Sequence, residues 1–401
     1  MIKLYNKRNR MKRLVYILTL LLTLVSCKDD FDISKLQDSA RLVVYSFPTE
    51  GDSTLIMVTK SLPVATTKGY LEDLVSQTVD AHIIYKVNGR ECPVKRIERE
   101  DESLHFCSSG SRLIGQYYAI GKQKSGDNIQ VLVSADGFQE VSASTHIPQG
   151  VDIQAEGVSI GKEKKDYYTY QMDKVLASFQ DDGNSKDYYS VKVKRLQMQG
   201  TASFVYHRDN GDIDTTYAEN YWDYSRIVNN YSSGVWNFDS LYHVPSPQML
   251  ETDNEPVLNK SSQIDDDLGF DGYEYFDNAY IFNDQSFNGR KYTLHLVMLN
   301  SNYEGSYGYN RLWDAVFGYD YQVELYKVTP EYYRFLSSIN NANSNSWAEA
   351  GIMQVTPTYS NVQGGFGIVA GFNTKVTSIH VDPPKKTSGG GILPIRYKED
   401  L

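Results

Sequence analysis

Cysteine is scarce in this chain of 401 residues, where it occurs three times, at Cys27, Cys92 and Cys107. No two of these form a Cys-x-x-Cys pair, which excludes a zinc ribbon and a thioredoxin-type redox site. The seven histidines form neither His-x-x-x-His nor His-Glu-x-x-His, so a zinc site on a helix is excluded as well. We therefore expect no metal and no cofactor.

Basic residues are outnumbered, with 40 Lys and Arg against 50 Asp and Glu and a net charge of −10. Nucleic-acid binding needs clustered cations, so DNA and RNA are not expected partners. No Gly-rich phosphate loop ending in Lys-Ser or Lys-Thr is present, and no pair among the many acids stands out as catalytic. The expectation is a protein that is not an enzyme.

The N-terminus carries a signal for export. Residues 1–13 hold six basic residues and no acid, and residues 14–25 are an apolar run. A run of 12 is too short to span a bilayer, which takes about 20 residues as a helix. We therefore predict a signal peptide over residues 1–26, whose removal takes away six positive charges and lowers the net charge from −10 to −16.

The cleavage region resembles the lipobox of bacterial lipoproteins. Its residues are Leu24-Val25-Ser26-Cys27, and the resemblance implies cleavage before Cys27 and acylation of that cysteine. The alternative is plain secretory cleavage that leaves Cys27 as a free thiol. Lys28, Asp29 and Asp30 follow at once and resemble the export signal of Bacteroidota surface lipoproteins, although a charged linker is the alternative. Residues 27–40 would then be a lipidated tether.

Residues 41–148 are predicted to form an N-terminal, Ig-like antiparallel β-sandwich. Asn128–Ser134 alternates polar and apolar residues, as a half-buried strand does, and Asn88-Gly89 is a hairpin turn signal. Cys92 and Cys107 lie on neighbouring predicted strands, so a disulfide between them is one interpretation and two separate thiols are the other. Pro148 and Gly150 mark the end of this domain.

Residues 149–382 are predicted to form a C-terminal β-rich domain, followed by a tail over residues 383–401. Thr329-Pro330-Glu331 predicts a helix start with Thr329 as N-cap. The polar, aromatic stretch 205–285 predicts long loops. The fold class is therefore mainly β, with two antiparallel β-sandwich-like domains, one short helix and long loops.

Several segments together resemble a Bacteroidota surface lipoprotein family, the domain-of-unknown-function 4249 family. Their order and spacing carry the likeness: Arg41–Tyr45, Asp136–Pro148, Asp181–Asn184 with Asp187–Tyr189, Val323–Leu336 and Gly364–Gly371. The likeness covers residues 41–381. It implies a two-part, β-rich surface lipoprotein encoded beside TonB-dependent transporters, and it supplies no catalytic residues.

Two further patterns carry candidate chemistry. Asp181-Asp182-Gly183-Asn184 and Asp265–Asp267 could offer oxygen ligands to Ca²⁺, but surface turns explain them better. Many of the 32 tyrosines lie in an aromatic stretch, for which we weigh a protein–protein interface first, core packing second and glycan stacking third. The residues predicted to bind a partner are Tyr221, Trp222, Tyr224 and Trp236.

The sequence thus predicts a lipoprotein anchored in the outer membrane and facing the cell exterior. Its expected role is a non-catalytic accessory or binding subunit that works with a TonB-dependent transporter, an outer-membrane β-barrel protein, in nutrient uptake. Two alternatives stay open. One is a structural subunit of an outer-membrane assembly or secretion complex, and the other is a lipoprotein that binds glycans or peptides alone.

Overall fold

Strands dominate the computed structural model, which confirms the mainly β prediction. The structure describes residues 40–61, 79–97, 116–165, 168–219, 221–231, 234–258, 275–300, 311–343 and 357–382. The strands within them are β1 (Leu42–Ser46), β2 (Gly51–Lys60), β3 (His82–Val87), β4 (Arg90–Cys92), β5 (Val94–Arg96), β6 (Gln116–Gln123), β7 (Asn128–Ser134), β8 (Val141–His146), β9 (Ile153–Lys165), β10 (Tyr168–Gln180), β11 (Tyr188–His207), β12 (Ile213–Ala218), β13 (Val235–Gln248), β14 (Leu250–Glu251), β15 (Tyr280–Asn283), β16 (Lys291–Asn300), β17 (Tyr319–Val328), β18 (Phe366–Val369) and β19 (Phe372–Val381). The α-helices are α1 (Tyr221–Asn230), α2 (Arg311–Phe317) and α3 (Pro330–Asn343), and two short 3₁₀ turns span Phe276–Asn278 and Asp284–Ser286.

The first sandwich packs two sheets around an aliphatic core. Their strand orders are β18-β1-β2-β6-β5 and β4-β3-β7-β8. The alternation predicted for β7 is confirmed, because Ile129, Val131 and Val133 are buried while Asn128 and Gln130 are exposed. The predicted turn between β3 and β4 is also present, with positive φ at Asn88 and Gly89, as a two-residue hairpin requires.

The second sandwich is built around β11, which is 20 residues long. One edge of β11 pairs with β17 and then β12, and the other edge pairs with β15 and then β13. The facing sheet has the order β14-β16-β10-β9. Aliphatic and aromatic residues of β10, β11, β16 and β17 fill the space between the two sheets.

One strand returns to the first sandwich from the C-terminal part of the chain. β18 pairs in parallel with β1, while β17 and β19 on either side of it in sequence belong to the second sandwich. All described residues except Ala40 and Ser61 belong to one compact unit. The first sandwich is thus made of β1–β8 together with β18, which lies far beyond residue 148 in the chain. The domain boundary at residue 148 stays a prediction.

Helix α3 begins where the sequence predicts it. Phe335 and Leu336 of α3 pack with Ile281 of β15 and Ile368 of β18, so the helix joins both sandwiches. The capping prediction is wrong in one respect, because the buried hydroxyl of Thr329 has no hydrogen-bond partner. Only the backbone carbonyl of Thr329 takes part, accepting from the N–H of Tyr333 at 3.0 Å.

The stretch predicted to be loops is more regular than expected. Within residues 205–285 the structure has the end of β11 and all of β12, α1, β13, β14 and β15. Phe204 and Trp236 form the floor of an aromatic cluster on which Ile227 of α1 and Trp313 of α2 pack. The solvent side of β12 and β13 carries large apolar residues such as Ile213, Tyr217 and Tyr242, so their sequences lack the simple alternation of apolar inward and polar outward residues.

Glycine is required where β18 approaches β1. Gly367 has φ +105°, and a Cβ there would lie 2.0 Å from the carbonyl oxygen of Val44. We predict that Gly367→Ala lowers the free energy of unfolding by about 2–4 kcal/mol, because backbone strain adds to a clash that moves the strand. Urea unfolding followed by circular dichroism measures it.

The matched control is Gly126→Ala, where φ is +85° and a Cβ would meet nothing within 4 Å. This variant introduces the backbone strain without the clash, so it should lower the free energy of unfolding by about 1–2 kcal/mol. Equal losses for the two variants would contradict a role for close strand approach.

Candidate functional site

The core of the second sandwich buries carboxyl groups beside tyrosine hydroxyls. Asp173 of β10 is fully buried and accepts hydrogen bonds from the hydroxyls of Tyr319 (2.9 Å) and Tyr321 (2.6 Å) of β17. Because β10 and β17 lie in opposite sheets, this carboxyl joins the two layers. Its place in the closed core gives it a structural role.

A second buried group lies at the end of β10. Asp181 accepts hydrogen bonds from the hydroxyl of Tyr189 (2.5 Å) and the N–H of Gly289 (2.8 Å). Burial raises the pKa of the Asp181 carboxyl, and the hydrogen bond from Tyr189 opposes that rise. Nearby, Lys327 Nζ lies 2.5 Å from Asp187 Oδ2, and both side chains are nearly buried. These acids are held by fixed partners.

The calcium interpretation of these acids gains no support. The carboxylate of Asp182 accepts from the backbone N–H of Asn184 at 3.1 Å, which is the turn geometry that the sequence favours. Asp265–Asp267 lies outside the described residues. In the part of the chain that the structure describes, no three His, Cys, Asp or Glu residues are grouped to hold a metal ion.

One serine-hydrolase pattern does occur in the chain, Gly157-Val158-Ser159-Ile160-Gly161. A nucleophile elbow places its serine on a sharp turn between a strand and a helix. Here the five residues lie inside β9, and Ser159 pairs with Lys174 of β10 on an exposed stretch. The pattern is therefore part of a strand and forms no elbow.

The predicted export and disulfide residues fall mostly outside the described part of the chain. Cys27, the export signal over residues 28–30 and Cys107 are all outside it. Cys92 is described and half-buried at the end of β4, but its pairing with Cys107 stays a prediction. In the described residues, no helix has the length and apolar character needed to cross a membrane.

Of the aromatic residues predicted to bind a partner, the structure describes the side chain of Trp236 alone. Tyr221, Trp222 and Tyr224 lie in α1, and their side chains are outside the described part. Trp236 is 7% exposed and packs against Phe204, with ring centroids 5.1 Å apart. Its environment is core packing, the second interpretation above. Trp236 would therefore affect binding only indirectly, by stabilising the position of β13.

Large apolar side chains are exposed on the neighbouring strands instead. Tyr217 and Ile213 of β12 are 61% and 68% exposed, and Tyr242 of β13 is 56% exposed. The ladders pair Ile213 with His207, Tyr217 with Ser203 and Tyr242 with Gln199, all odd-numbered positions of β11. Because alternate residues of a strand share a face, Ile213 and Tyr217 of β12 lie on the same face. Tyr242 is exposed beyond the irregularity in the β11–β13 ladder between Gln199 and Thr201, where the buried positions of β11 change from odd to even numbers.

We give the name distal face to the surface at this end of β11, defined by the exposed residues Ile213, Tyr217, Tyr242 and Thr201. It extends beyond the end of β17, whose ladder with β11 stops at the pair Gln197–Tyr319. The partners Ser203 and Gln199 are four residues apart, which places Tyr217 and Tyr242 about 13 Å apart along β11. Tyrosine at this exposure supplies contact area and a polar hydroxyl, as protein interfaces require.

Ile213, Tyr217 and Tyr242 all lie in the stretch 205–285, but none of them is among the residues that the sequence predicts to bind a partner. The signal in β12 is the alternation Ile-Asp-Thr-Thr-Tyr-Ala, which places Ile213, Thr215 and Tyr217 on one face. No equivalent signal exists for Tyr242, because an irregularity in the ladder between Gln199 and Thr201 shifts the register of β13.

The chain is thus a mainly β protein with buried, structural carboxyl groups and an exposed apolar face on its second sandwich. A family model described as Domain of unknown function (DUF4249) matches residues 28–378. The chain therefore belongs to this family, which confirms the resemblance to the domain-of-unknown-function 4249 family. Among curated proteins and among solved structures, nothing matches it.

The buried tyrosines predict how stability depends on alkaline pH. Burial is the main cause that raises the pKa of Tyr189, Tyr319 and Tyr321 well above 10, and nearby carboxylates raise it further. A hydroxyl with a raised folded-state pKa contributes stability below the unfolded value near 10, and that contribution is lost as the pH rises above it. Stability should therefore fall from about pH 10 upward.

Absorbance of phenolate at 295 nm and circular dichroism measure this in parallel. We expect the buried tyrosines to ionise only in the step in which the β signal disappears. The chain unfolded in urea is the control and should ionise all tyrosines together near pH 10. Complete ionisation near pH 10 with the β signal intact would contradict the prediction.

Proposed function

We propose that this protein is a lipoprotein of the outer membrane that faces the cell exterior. In this proposal it serves a TonB-dependent transporter as a non-catalytic binding subunit in nutrient uptake. The observation that carries the proposal is the distal face, where Ile213, Tyr217 and Tyr242 are exposed together. It lies in the aromatic stretch from which the sequence predicts docking.

The anchor in this proposal is the acylated Cys27. Each buried CH₂ of an acyl chain contributes about 0.8 kcal/mol, so several chains hold a protein stably in a membrane. β1 begins at Leu42, close behind the tether, which keeps the first sandwich near the lipid. Confinement to the membrane surface raises the effective concentration of the protein near a membrane partner.

The partner in this proposal is the outer-membrane β-barrel protein itself. The distal face combines two tyrosines and an isoleucine with the exposed Thr201 of β11. Aromatic residues are enriched at protein interfaces. Clusters of exposed apolar side chains are rare on soluble proteins, and large ones mark interaction sites. The buried carboxyl groups have structural partners, which supports binding over catalysis.

Lipidation is tested with Cys27→Ala in the full chain. We expect loss of palmitate labelling and release from the membrane fraction, because Cys27 carries the acyl chains in this proposal. Cys92→Ala is the matched control and should keep both label and location, since Cys92 lies in the folded domain. Label that survives Cys27→Ala would refute the anchor.

Docking is tested by placing charge on the distal face. In the full chain, Tyr217→Glu with Tyr242→Glu should reduce the recovery of an outer-membrane β-barrel transporter more than tenfold in purification from mild detergent. Interface tyrosines often contribute about 2 kcal/mol each, and a desolvated carboxylate opposes contact. The control is Val376→Glu on β19, because Val376 is an exposed apolar residue outside the distal face, with 50% of its surface exposed. This variant should leave recovery of the transporter unchanged.

Three results of this purification count against the proposal. If the double variant and the control recover equal amounts of the transporter, the distal face is not the docking surface. Recovery of subunits of an assembly or secretion complex favours the structural alternative. Recovery of no barrel protein by the unaltered chain overturns the proposed function.

A further inference from the structure

A polar groove runs over the outer face of the first sandwich, far from the distal face in sequence. Its floor is the solvent side of β7 and β8, and Glu331 in the first turn of α3 borders its middle. Two adjoining cavities of about 680 Å³ and 470 Å³ make it up, and both are lined by Gln130, Ser144 and Glu331. They therefore form one continuous groove.

The floor of the groove is fixed by strand pairing. The ladder between β7 and β8 sets three pairs side by side: Asn128 with His146, Gln130 with Ser144 and Leu132 with Ser142. The alternate residues of β7 are buried in the aliphatic core, which holds these side chains outward. From Asn128 to Leu132 the floor extends about 13 Å along the strand.

The two ends of the groove are also ordered. At one end lies the tight turn of Asn88 and Gly89, where the Asn88 amide donates to Asp127 at 2.8 Å. At the other end Asn361 makes two hydrogen bonds with the backbone of Val369, at 2.8 and 2.9 Å. The groove is therefore preformed, which lowers the entropic cost of binding.

The side chains in the groove offer unused hydrogen-bonding groups. Gln130, Ser142, Ser144, Gln363 and Glu331 make no side-chain hydrogen bond to other described residues. Together they provide amide and hydroxyl donors and amide, hydroxyl and carboxylate acceptors. Lys and Arg are absent from the described lining, and Leu132 is the single large apolar side chain that β7 and β8 turn outward.

We propose that this groove binds a neutral polyhydroxylated ligand, a saccharide. Each sugar hydroxyl both donates and accepts a hydrogen bond, which suits a lining of amides and hydroxyls with one carboxylate. The Glu331 carboxylate, and the absence of Lys and Arg from the described lining, disfavour phosphate and other anions. An extended peptide would need pockets for apolar side chains, and the floor provides little apolar surface.

This inference goes beyond the proposed function and stands on other residues. The groove lies on the first sandwich, whereas the distal face lies on the second. Saccharide binding can be measured without a transporter, so its failure is distinguishable from failure of docking.

The test uses the full mature chain, purified in mild detergent, in native affinity gels that contain a soluble polysaccharide. The probes are starch, mixed-linkage β-glucan, galactomannan and xylan, with polygalacturonate as the anionic probe. We expect at least one neutral probe to slow migration and polygalacturonate to have no effect. Glu331→Gln should weaken binding about tenfold, as expected for the loss of hydrogen bonds to a charged group.

Ser144→Trp fills the middle of the groove and should abolish the retardation. Ser134→Trp is its matched control, because Ser134 lies on the same face of β7 but outside the groove, and it should bind like the unaltered chain. Equal thermal melting by circular dichroism shows that the variants are folded.

Several results would overturn the inference. They are no retardation by any neutral probe, retardation that Ser144→Trp leaves unchanged, and stronger retardation by polygalacturonate. Casein-digest peptides that bind the unaltered chain, and that lose binding with Ser144→Trp, would mark the groove as a peptide site and refute the saccharide assignment.

Discussion

The continuous pairing of β11 on both of its edges is the constraint on which the second sandwich depends. A strand of 20 residues is several times the usual length, and it pairs with β17 and β12 on one edge and with β15 and β13 on the other. Every layer of this sandwich takes its position from that ladder. The distal face exists because β11 continues past the end of β17.

Charge inside the core follows the same strand. Arg195 of β11 is 7% exposed, lies 3.7 Å from the ring centroid of Tyr319 and binds Asp314 of α2 at 2.9 Å. Tyr319 in turn donates to Asp173, so a chain of polar contacts connects α2 to the facing sheet. Breaking such a buried pair at one end leaves an uncompensated charge, which costs about 3–5 kcal/mol. These acids and bases therefore specify how the layers meet.

The tyrosine excess divides between two uses. Buried tyrosines fill the core with their rings and direct their hydroxyls to carboxylates, as Tyr189 does to Asp181 (2.5 Å) and Tyr321 does to Asp173 (2.6 Å). Exposed tyrosines such as Tyr217 and Tyr242 lie on the distal face. The groove proposed to bind a saccharide and the distal face proposed to dock a partner lie on different sandwiches.

Local patterns in the sequence by themselves determined several elements of this protein. Alternation predicted β7, Asn88-Gly89 predicted the hairpin turn, and Thr329-Pro330-Glu331 predicted the start of α3, because each depends on neighbours within a few residues. Only the tertiary structure decided the rest. The pairing of β18 with β1, the burial of Trp236 beside the exposure of Tyr217, and the meeting of Glu331 with β7 and β8 all join distant residues. Such contacts depend on which strand edges and faces remain open after local folding, and no short sequence pattern records that.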